Sequence, residues 1–302
     1  LTPFSKFEIK SDKAHQELQK ICTANIKNEP GKCVYTHMLN SDGGIEADLT
    51  VVCIDKNHFR IISSAATRER DKFHINKNLS KNIELKDITD DLCVFGLFGP
   101  KSRDLLKTLS EDNFENDQFK FGFAKFIKMD GVKIWTQRLS YVGELGYELY
   151  VDLKDAKKIY ELLIEKGKDF NLSNCGMHAM DIMRMESGFL HWGHDISPEE
   201  NQYQAGLAFT ISNKKDVDFI GKQALEKIKQ DKVKTRFSMF TLKESEPGKP
   251  LLLHDEPIYI DDKIIGRSTS GNYSFNFKKN LVFGYIKNDL SNEELQSKDL
   301  FI

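Results

Sequence analysis

Two glycines followed by two acidic side chains, in the segment 43–48, are the first place where this sequence could carry chemistry. A tight turn at the glycines would lead into a strand, whose period of two places Glu46 and Asp48 on one face. A carboxylate held on a strand just after a turn can lie at a pocket mouth and act as a general base toward a substrate nitrogen. On the residues alone, a simpler interpretation is favoured, namely an edge strand with solvated acids.

The segment Ser140–Glu148 combines glycines, a tyrosine and a carboxylate. Gly143 and Gly146 allow a turn at which the backbone can approach a ligand closely, and Tyr141 offers a flat face with a polar tip. One carboxylate, here Glu148, can accept two parallel hydrogen bonds from an amino group beside a ring N–H, an edge that pterin and guanine both present. The alternative is a β-hairpin with incidental acids, and the residues alone favour it.

Two polar clusters further along the chain are interpreted as structural. Arg184, on a predicted helix, could bind a carboxylate, but pairing with an acid of the protein such as Glu186 is the simpler interpretation. His191 and His194 have a spacing that could point two imidazoles in one direction, yet no acidic or thiol ligand obviously joins them. We therefore expect a hydrogen-bonded turn there and no metal site.

The elements that must position these residues follow from hydrophobic periodicity. Helices and strands alternate without a regular repeat through the first two thirds of the chain. The predicted elements include a strand over 49–54, a hairpin of strands 132–137 and 147–151, and a helix opened by Gly99-Pro100.

The pattern changes after Lys234. Short strands such as 264–268 are separated by turn residues there and no helix is evident, which predicts a small all-β unit. We therefore divide the chain into two domains, residues 1–232 and residues 233–302.

Composition and charge narrow the function classes. The 302 residues include 44 Lys plus Arg and 46 Asp plus Glu, so the net charge of −2 gives no field that would hold nucleic acid or anionic lipid. No run approaches the ~20 apolar residues of a membrane span, and no signal peptide is visible. Five cysteines without a C-x-x-C pair are interpreted as reduced thiols, so we expect a cytoplasmic protein.

Six segments in order resemble the folate-binding aminomethyltransferase family, that is, the T-protein of the glycine cleavage system and its relatives. They are Gly43–Leu49, Gly99–Ser102, Tyr141–Glu148, Arg184–Gly188 with Gly193–Asp195, Phe219–Leu225 and Gly266–Gly271. The first and third are similar to the C-terminal folate domain of dimethylglycine and sarcosine dehydrogenases. Glycine-cleavage T-proteins usually carry two consecutive acids where this chain has Ala47-Asp48, and an Arg where it has Met180.

The resemblance implies an α+β fold, with mixed α/β subdomains around a central hole that holds the pterin of tetrahydrofolate, followed by a C-terminal β-barrel. By motif position Asp48 is the catalytic candidate, which would lie near folate N10, orient it and take or relay its proton. The implied cofactor-binding residues are Tyr35, Tyr141 and Glu148, with Glu144 and Arg184 as further candidates.

The activity implied by the resemblance is transfer of a methylene group to tetrahydrofolate, giving 5,10-methylenetetrahydrofolate. The donor would be the iminium formed when a small N-methyl amine is oxidised. Because the chain has no flavin motif, FAD would be held by an upstream domain, covalently attached or associated. We expect the chain to be a piece of such a larger enzyme, without the start of its folate domain and the end of its barrel. In a eukaryote the compartment would be the mitochondrial matrix.

Three alternatives stay open. The first is a stand-alone glycine-cleavage T-protein, which takes an aminomethyl group from a lipoyl carrier. The second is a folate-binding module without transferase activity, against which the absence of cysteine from the segment Asp218–Leu225 counts. The third is a folate-dependent demethylase acting on a sulfonium methyl group.

Overall fold

The computed structural model describes residues 1–302. Its strands are Ser5–Lys10 (β1), Cys33–Leu39 (β2), Ile45–Asp55 (β3), His58–Ser63 (β4), Leu85–Asp87 (β5), Leu92–Phe98 (β6), Ala124–Met129 (β7), Val132–Gln137 (β8), Gly146–Asp152 (β9), Thr235–Thr241 (β10), Pro257–Ile260 (β11), Lys263–Ser274 (β12), Lys279–Lys287 (β13) and Leu300–Phe301 (β14). Its α-helices are Ala14–Ile21 (α1), Arg68–Asn78 (α2), Ser102–Leu109 (α3), Ala156–Gly167 (α4), Met177–Glu186 (α5), Lys222–Asp231 (α6) and Asn292–Ser297 (α7). No helix combines the length and apolarity that a bilayer crossing requires.

The first sheet carries the acidic segment 43–48 on a central strand. Its antiparallel order is β2-β3-β4-β1-β5, so β3 pairs on both sides and the edge-strand interpretation is wrong. The strand begins earlier than the predicted residue 49, because the turn at Gly44 leads directly into pairing at Ile45. Ala47 and Leu49 point into a core shared with α1. As predicted, Asp48 therefore lies on the opposite, half-buried face.

The second sheet packs between two helices and the first sheet. Its antiparallel order is β6-β9-β8-β7, and the predicted pairing of β8 with β9 is confirmed. One face packs on α3 and α4 through a cluster that includes Leu105 and Ile159. The other face meets the first sheet in a cluster that includes Val52 and Trp135. Side chains on that inner face lie between the two sheets.

The C-terminal unit is a five-stranded antiparallel sheet in the order β10-β13-β12-β11-β14. β12 is longer than the predicted 264–268, because pairing resumes after an irregularity at Ser268 and continues to Ser274. Helix α6 ends at Asp231 and β10 begins at Thr235. The division of the chain between residues 232 and 233 stays a prediction.

Two helix starts differ from the sequence-based expectation. The helix predicted to open at Gly99-Pro100 begins at Ser102, whose N–H donates to the carbonyl of Gly99, so Pro100 lies in the preceding turn. Helix α7 was not predicted, because its six residues are too few to show a helical period. It forms on a capping box in which Ser291 and Glu294 satisfy each other's backbone N–H groups.

A buried ion network joins the C-terminal unit to α5. The Arg184 guanidinium, 2% exposed, donates to the carboxylates of Asp195 at 2.5 Å and Asp181 at 2.8 Å and to the Ser270 hydroxyl at 2.9 Å. Asp195 also accepts from the hydroxyls of Ser270 and Thr269, at 2.8 and 2.6 Å. Both charges are therefore compensated inside the protein, as buried charges must be.

We expect Asp195→Ala to lower the free energy of unfolding by roughly 3 kcal/mol, because it removes the buried partner of Arg184 and leaves only the partly exposed Asp181 to compensate the charge. The matched control is Asp218→Ala, which removes an exposed carboxylate paired with Lys222 and should change stability by less than about 1 kcal/mol. Urea unfolding followed by circular dichroism measures both. Equal effects of the two substitutions would show that the buried pair does not hold the units together.

Candidate active site

The position of Asp48 is set by the turn that begins β3. The Asn40 side chain accepts from the N–H of Gly44 at 2.9 Å, and a Cβ on Gly44 would lie 1.8 Å from the carbonyl oxygen of Pro198. Only glycine can be accommodated at that close approach. The indole N–H of Trp192 donates to the carbonyl of Ile45 at 3.0 Å. The loop that follows α5 therefore clamps the start of the strand.

The neighbouring acid, Glu46, is also connected to Trp192, through Arg70. Its carboxylate accepts from Nε and Nη2 of Arg70 at 3.1 and 2.6 Å. The Arg70 guanidinium in turn lies 4.9 Å from the ring centroid of Trp192. Although Glu46 and Asp48 share a face, as predicted, Glu46 is engaged in this structural contact and Asp48 is not.

The Asp48 carboxyl is buried without a compensating cation. Its Oδ1 atom has no hydrogen-bond partner and lies 3.6 Å from Nε2 of His37, its partner across β2 and β3. Burial raises the pKa of Asp48 to about 7; the phenol of Tyr35 opposes the rise and the charge of Asp71 adds to it. The side chain is still 18% accessible. A carboxyl with this pKa can both take up and release a proton near neutral pH.

His37 is a neutral, fully buried neighbour of that carboxyl, and sequence reasoning missed it. Burial lowers the pKa of His37 to about 3. Its Nδ1 lies 3.0 Å from Oγ1 of Thr210 and 3.3 Å from Nε2 of Gln202, and its Nε2 lies 3.3 Å from Oη of Tyr35. The signal was present, because pairing β2 with β3 about the turn at 41–44 places His37 directly opposite Asp48.

Tyr35 is a partly exposed side chain beside Asp48. The residue is 39% exposed, yet burial raises the pKa of its phenol well above the ordinary value, with the charge of Asp48 adding to the rise. Its ring packs edge-on against His37 and at a tilt against Phe209, with centroids 5.2 and 6.4 Å apart.

Tyr141 lies close enough to Tyr35 and Asp48 for their charges to act on one another. Its hydroxyl donates to the carbonyl of Leu190 at 2.9 Å, and its ring stacks on Phe189 with centroids 6.1 Å apart. Burial raises the pKa of Tyr141, with opposing effects from the charges of Arg184 and Asp48. The structure therefore groups Tyr35, Asp48 and Tyr141, three of the residues singled out from the sequence.

Glu148 faces the space between the two sheets. Its carboxylate accepts from the Tyr150 hydroxyl at 2.8 Å, and burial raises its pKa. Its cross-strand partner is Gln137, whose Oε1 lies 4.0 Å from Sγ of Cys33 and whose Nε2 is buried without a partner. Glu148 therefore lies near the Cys33 end of β2.

One row of side chains connects the two carboxyl groups. On β2 and β3 the pairs Cys33/Val52, Tyr35/Thr50 and His37/Asp48 succeed one another on the same face. Glu148 lies at the first pair and Asp48 belongs to the last, so the row spans about 13 Å at the usual rise per residue. Tyr35 stands midway along it.

The two remaining candidates are placed differently. Glu144 is exposed in the loop before β9, and no contact joins it to the other candidates. The Nε, Nη1 and Nη2 atoms of Arg184 all bind groups of the protein. Their roles as ligand contacts stay predictions. His191 and His194 lie with ring centroids 4.6 Å apart, and the structure contains no group of three or more side chains suited to hold a metal ion.

Comparisons with known proteins agree over most of the chain. The model of the GCVT N-terminal domain matches residues 1–215, and that of the glycine cleavage T-protein C-terminal barrel domain matches residues 236–298. The chain is 34% identical to human mitochondrial dimethylglycine dehydrogenase over 294 residues, which cover 96% of this chain and 34% of that protein. It is 32% identical to the aminomethyltransferase of Halothermothrix orenii over 277 residues, covering 91% and 76%.

The fold comparison gives the same result. The aminomethyltransferase T of the glycine cleavage system from Bartonella henselae superposes with a TM-score of 0.83 at 19% identity, covering 95% of this chain and 76% of that one. This confirms the predicted α+β fold with its C-terminal barrel. The chain spans about a third of the length of the dimethylglycine dehydrogenases it matches. With both of its family models matched, the chain belongs to the glycine cleavage T-protein family.

Proposed function

We propose that this protein transfers a one-carbon unit to tetrahydrofolate, with Asp48 as the catalytic group. The observation that carries the proposal is the buried, uncompensated carboxyl of Asp48 at one end of a row of side chains that has Glu148 at the other end. Perturbed carboxyl groups in a cleft are typical of sites that move protons.

The residues present fit a reduced folate. The Glu148 carboxylate can accept from the amino group and ring N–H of the pterin, while Tyr35 and Tyr141 offer aromatic walls. The row, about 13 Å long between the backbone positions of its first and last pairs, is long enough for the pterin and the bridging nitrogen N10. When bound, tetrahydrofolate supplies the nucleophilic nitrogens N5 and N10 that receive the carbon.

In this proposal Asp48 accepts the proton that the ligand releases. As a carboxylate it accepts a hydrogen bond from an N–H of the ligand. It takes up the proton that this nitrogen loses when it forms its bond to carbon, while the bond between that carbon and its donor breaks and the donor leaves. The pKa of about 7 means that neither the carboxylate nor the acid is scarce at neutral pH. A ligand that displaces water from the partly exposed site would also protect a reactive one-carbon donor from hydrolysis.

The relatives support two candidate donors. Similarity over 294 residues to dimethylglycine dehydrogenase supports an iminium derived from a small N-methyl amine, with a flavin domain, attached or associated, as the partner that generates it. The second candidate is an aminomethyl donor of the glycine-cleavage kind, favoured by the 76% coverage of the Halothermothrix orenii aminomethyltransferase. A folate-binding module without activity would have no use for the Asp48 carboxyl.

Asp48→Asn should leave tetrahydrofolate affinity within a few-fold and lower the transfer rate by roughly 10²–10⁴, because only the proton-accepting oxygen is lost. Calorimetry under anaerobic conditions gives the affinity. Single-turnover assays give the rate, with the iminium from a dimethylglycine-oxidising flavoprotein in one arm and an aminomethylated lipoyl carrier in the other. Transfer in one arm alone identifies the donor class, and unchanged transfer by the variant would remove Asp48 from the mechanism.

Glu148→Gln should weaken tetrahydrofolate binding by about tenfold to a hundredfold, the equivalent of roughly 1.5–3 kcal/mol for charged hydrogen bonds. The single-turnover rate at saturating folate should change little, because Glu148 is distant from the reacting nitrogens. Glu165→Gln, at an exposed position of α4, is the control and should bind normally. Normal binding by the Glu148 variant would place the pterin elsewhere.

The raised pKa of Asp48 also predicts a pH-dependent stability. The folded-state pKa of about 7 exceeds the ordinary 3.8, so the stability that Asp48 contributes is full below about pH 4 and is lost as the pH rises through 7. Relative to Asp48→Asn, the wild type should therefore lose free energy of unfolding between these limits, by at most about 4 kcal/mol. Urea unfolding of both proteins across this range gives the difference, and a constant difference would mean that Asp48 has an ordinary pKa.

A further inference from the structure

The hydrogen-bond network behind His37 favours a proton on Nδ1 of its ring. Thr210 Oγ1 lies 2.8 Å from the carbonyl oxygen of Leu207, which can only accept, so the single hydroxyl hydrogen is used there. The 3.0 Å contact between Thr210 Oγ1 and His37 Nδ1 then requires Nδ1 to donate. The amide nitrogen of Gln202 lies 3.3 Å from both Thr210 Oγ1 and His37 Nδ1, and with the proton on Nδ1 it donates to Thr210 Oγ1.

The consequence lies on the opposite side of the ring. With the proton on Nδ1, the neutral imidazole turns the lone pair of Nε2 toward Oδ1 of Asp48 at 3.6 Å and Oη of Tyr35 at 3.3 Å. A lone pair facing a carboxylate oxygen is unfavourable, whereas a lone pair facing a protonated carboxyl forms a hydrogen bond. The separation of 3.6 Å exceeds that of a formed bond, as is common for catalytic contacts before a ligand is bound.

We propose that His37 is a positioning residue that holds Asp48 in its acid form, by accepting a hydrogen bond from the Asp48 carboxyl at Nε2. This inference rests on the proposed role of Asp48. The proton that Asp48 takes from the ligand nitrogen stays on the carboxyl and is directed at His37. It does not pass to the imidazole, whose lowered pKa makes it a much weaker base.

The two β2 neighbours of Asp48 therefore act in opposite directions. A hydrogen bond from the Tyr35 hydroxyl lowers the pKa of Asp48, whereas an acceptor at His37 Nε2 favours the acid. The same hydroxyl lies 3.3 Å from Nε2, so it competes with the protonated carboxyl for that lone pair. The other titratable groups that face the carboxyl are Asp71 of α2, whose charge favours the acid form, and Tyr141 of the loop before β9. Tyr35 and His37 together keep both forms of Asp48 accessible.

The test is the titration of Asp48 in the full chain without any ligand, so that it is independent of the transfer assays. Protein labelled with ¹³C at the aspartate carboxyl gives one signal that is missing from Asp48→Asn. We expect His37→Asn, which keeps a donor for Thr210 and removes Nε2, to lower the pKa of Asp48 by about one or more, a roughly tenfold loss of proton affinity. Tyr35→Phe should raise it. His254→Asn, an exposed histidine in the C-terminal unit, should change nothing.

A second variant separates the hydrogen bond from packing. His37→Asn opens space that water could fill, and solvation alone would lower the pKa of Asp48. Thr210→Val keeps the ring and its volume but removes the acceptor of Nδ1, so Nε2 becomes free to carry the proton and to favour the carboxylate. We expect the pKa of Asp48 to fall in this variant too, with the ¹⁵N shifts of His37 changing from the Nδ1–H to the Nε2–H pattern.

Two results would overturn the proposal. One is a wild-type ¹⁵N spectrum of the Nε2–H form, which would make His37 a donor to the carboxylate. The other is an unchanged or raised pKa of Asp48 in Thr210→Val. If the pKa shifts are as expected but Asp48→Asn still transfers the one-carbon unit normally, the His37 contact stands and the proposed function of Asp48 fails.

Discussion

The structure depends on a carboxyl group that is taken out of water without a cation to compensate it. Such burial is unfavourable, and it is tolerated for Asp48 because the strand that carries it cannot move. β3 is paired on both sides, its first residue is clamped by Trp192, and its turn admits only glycine against Pro198. The rigid backbone thus holds the Asp48 carboxyl in an environment that destabilises its charged form. Strained or unfavourable environments of this kind are common at functional sites, where the surrounding structure maintains them.

Asp195, also buried, differs from Asp48 in that its charge is compensated. Asp195 meets the Arg184 guanidinium and the hydroxyls of Thr269 and Ser270, so its charge is fully compensated and it serves as a joint between α5 and the C-terminal unit. The contrast with Asp48 is informative because both residues were prominent in the sequence. A buried carboxylate whose charge is paired with a cation, such as Asp195, is typical of a structural contact. A buried carboxyl without a cation, such as Asp48, is typical of a reactive site.

The sequence predicted most of the strands, because alternating apolar residues such as Ala47 and Leu49 define a buried face directly. It could not show that β3 is central, since pairing on both sides depends on β4 and on the distant loop around Trp192. Asp48, Tyr35 and Tyr141 were found by motif and lie together. Arg184 looked equally available, but its partners Asp195 and Ser270 come from distant parts of the chain. His37 was missed because a single histidine in an apolar strand carries no motif.

The turn between β2 and β3 has a consequence for how this hairpin can vary. Asn40 closes the turn onto Gly44 by side chain and backbone, and this fixes the count of residues that separates His37 from Asp48. Inserting or deleting one residue there would shift one strand by half a pleat and send the two side chains to opposite faces of the sheet. Exposed loops such as 244–250 can change in length. The number of residues in this turn cannot change without separating His37 from Asp48.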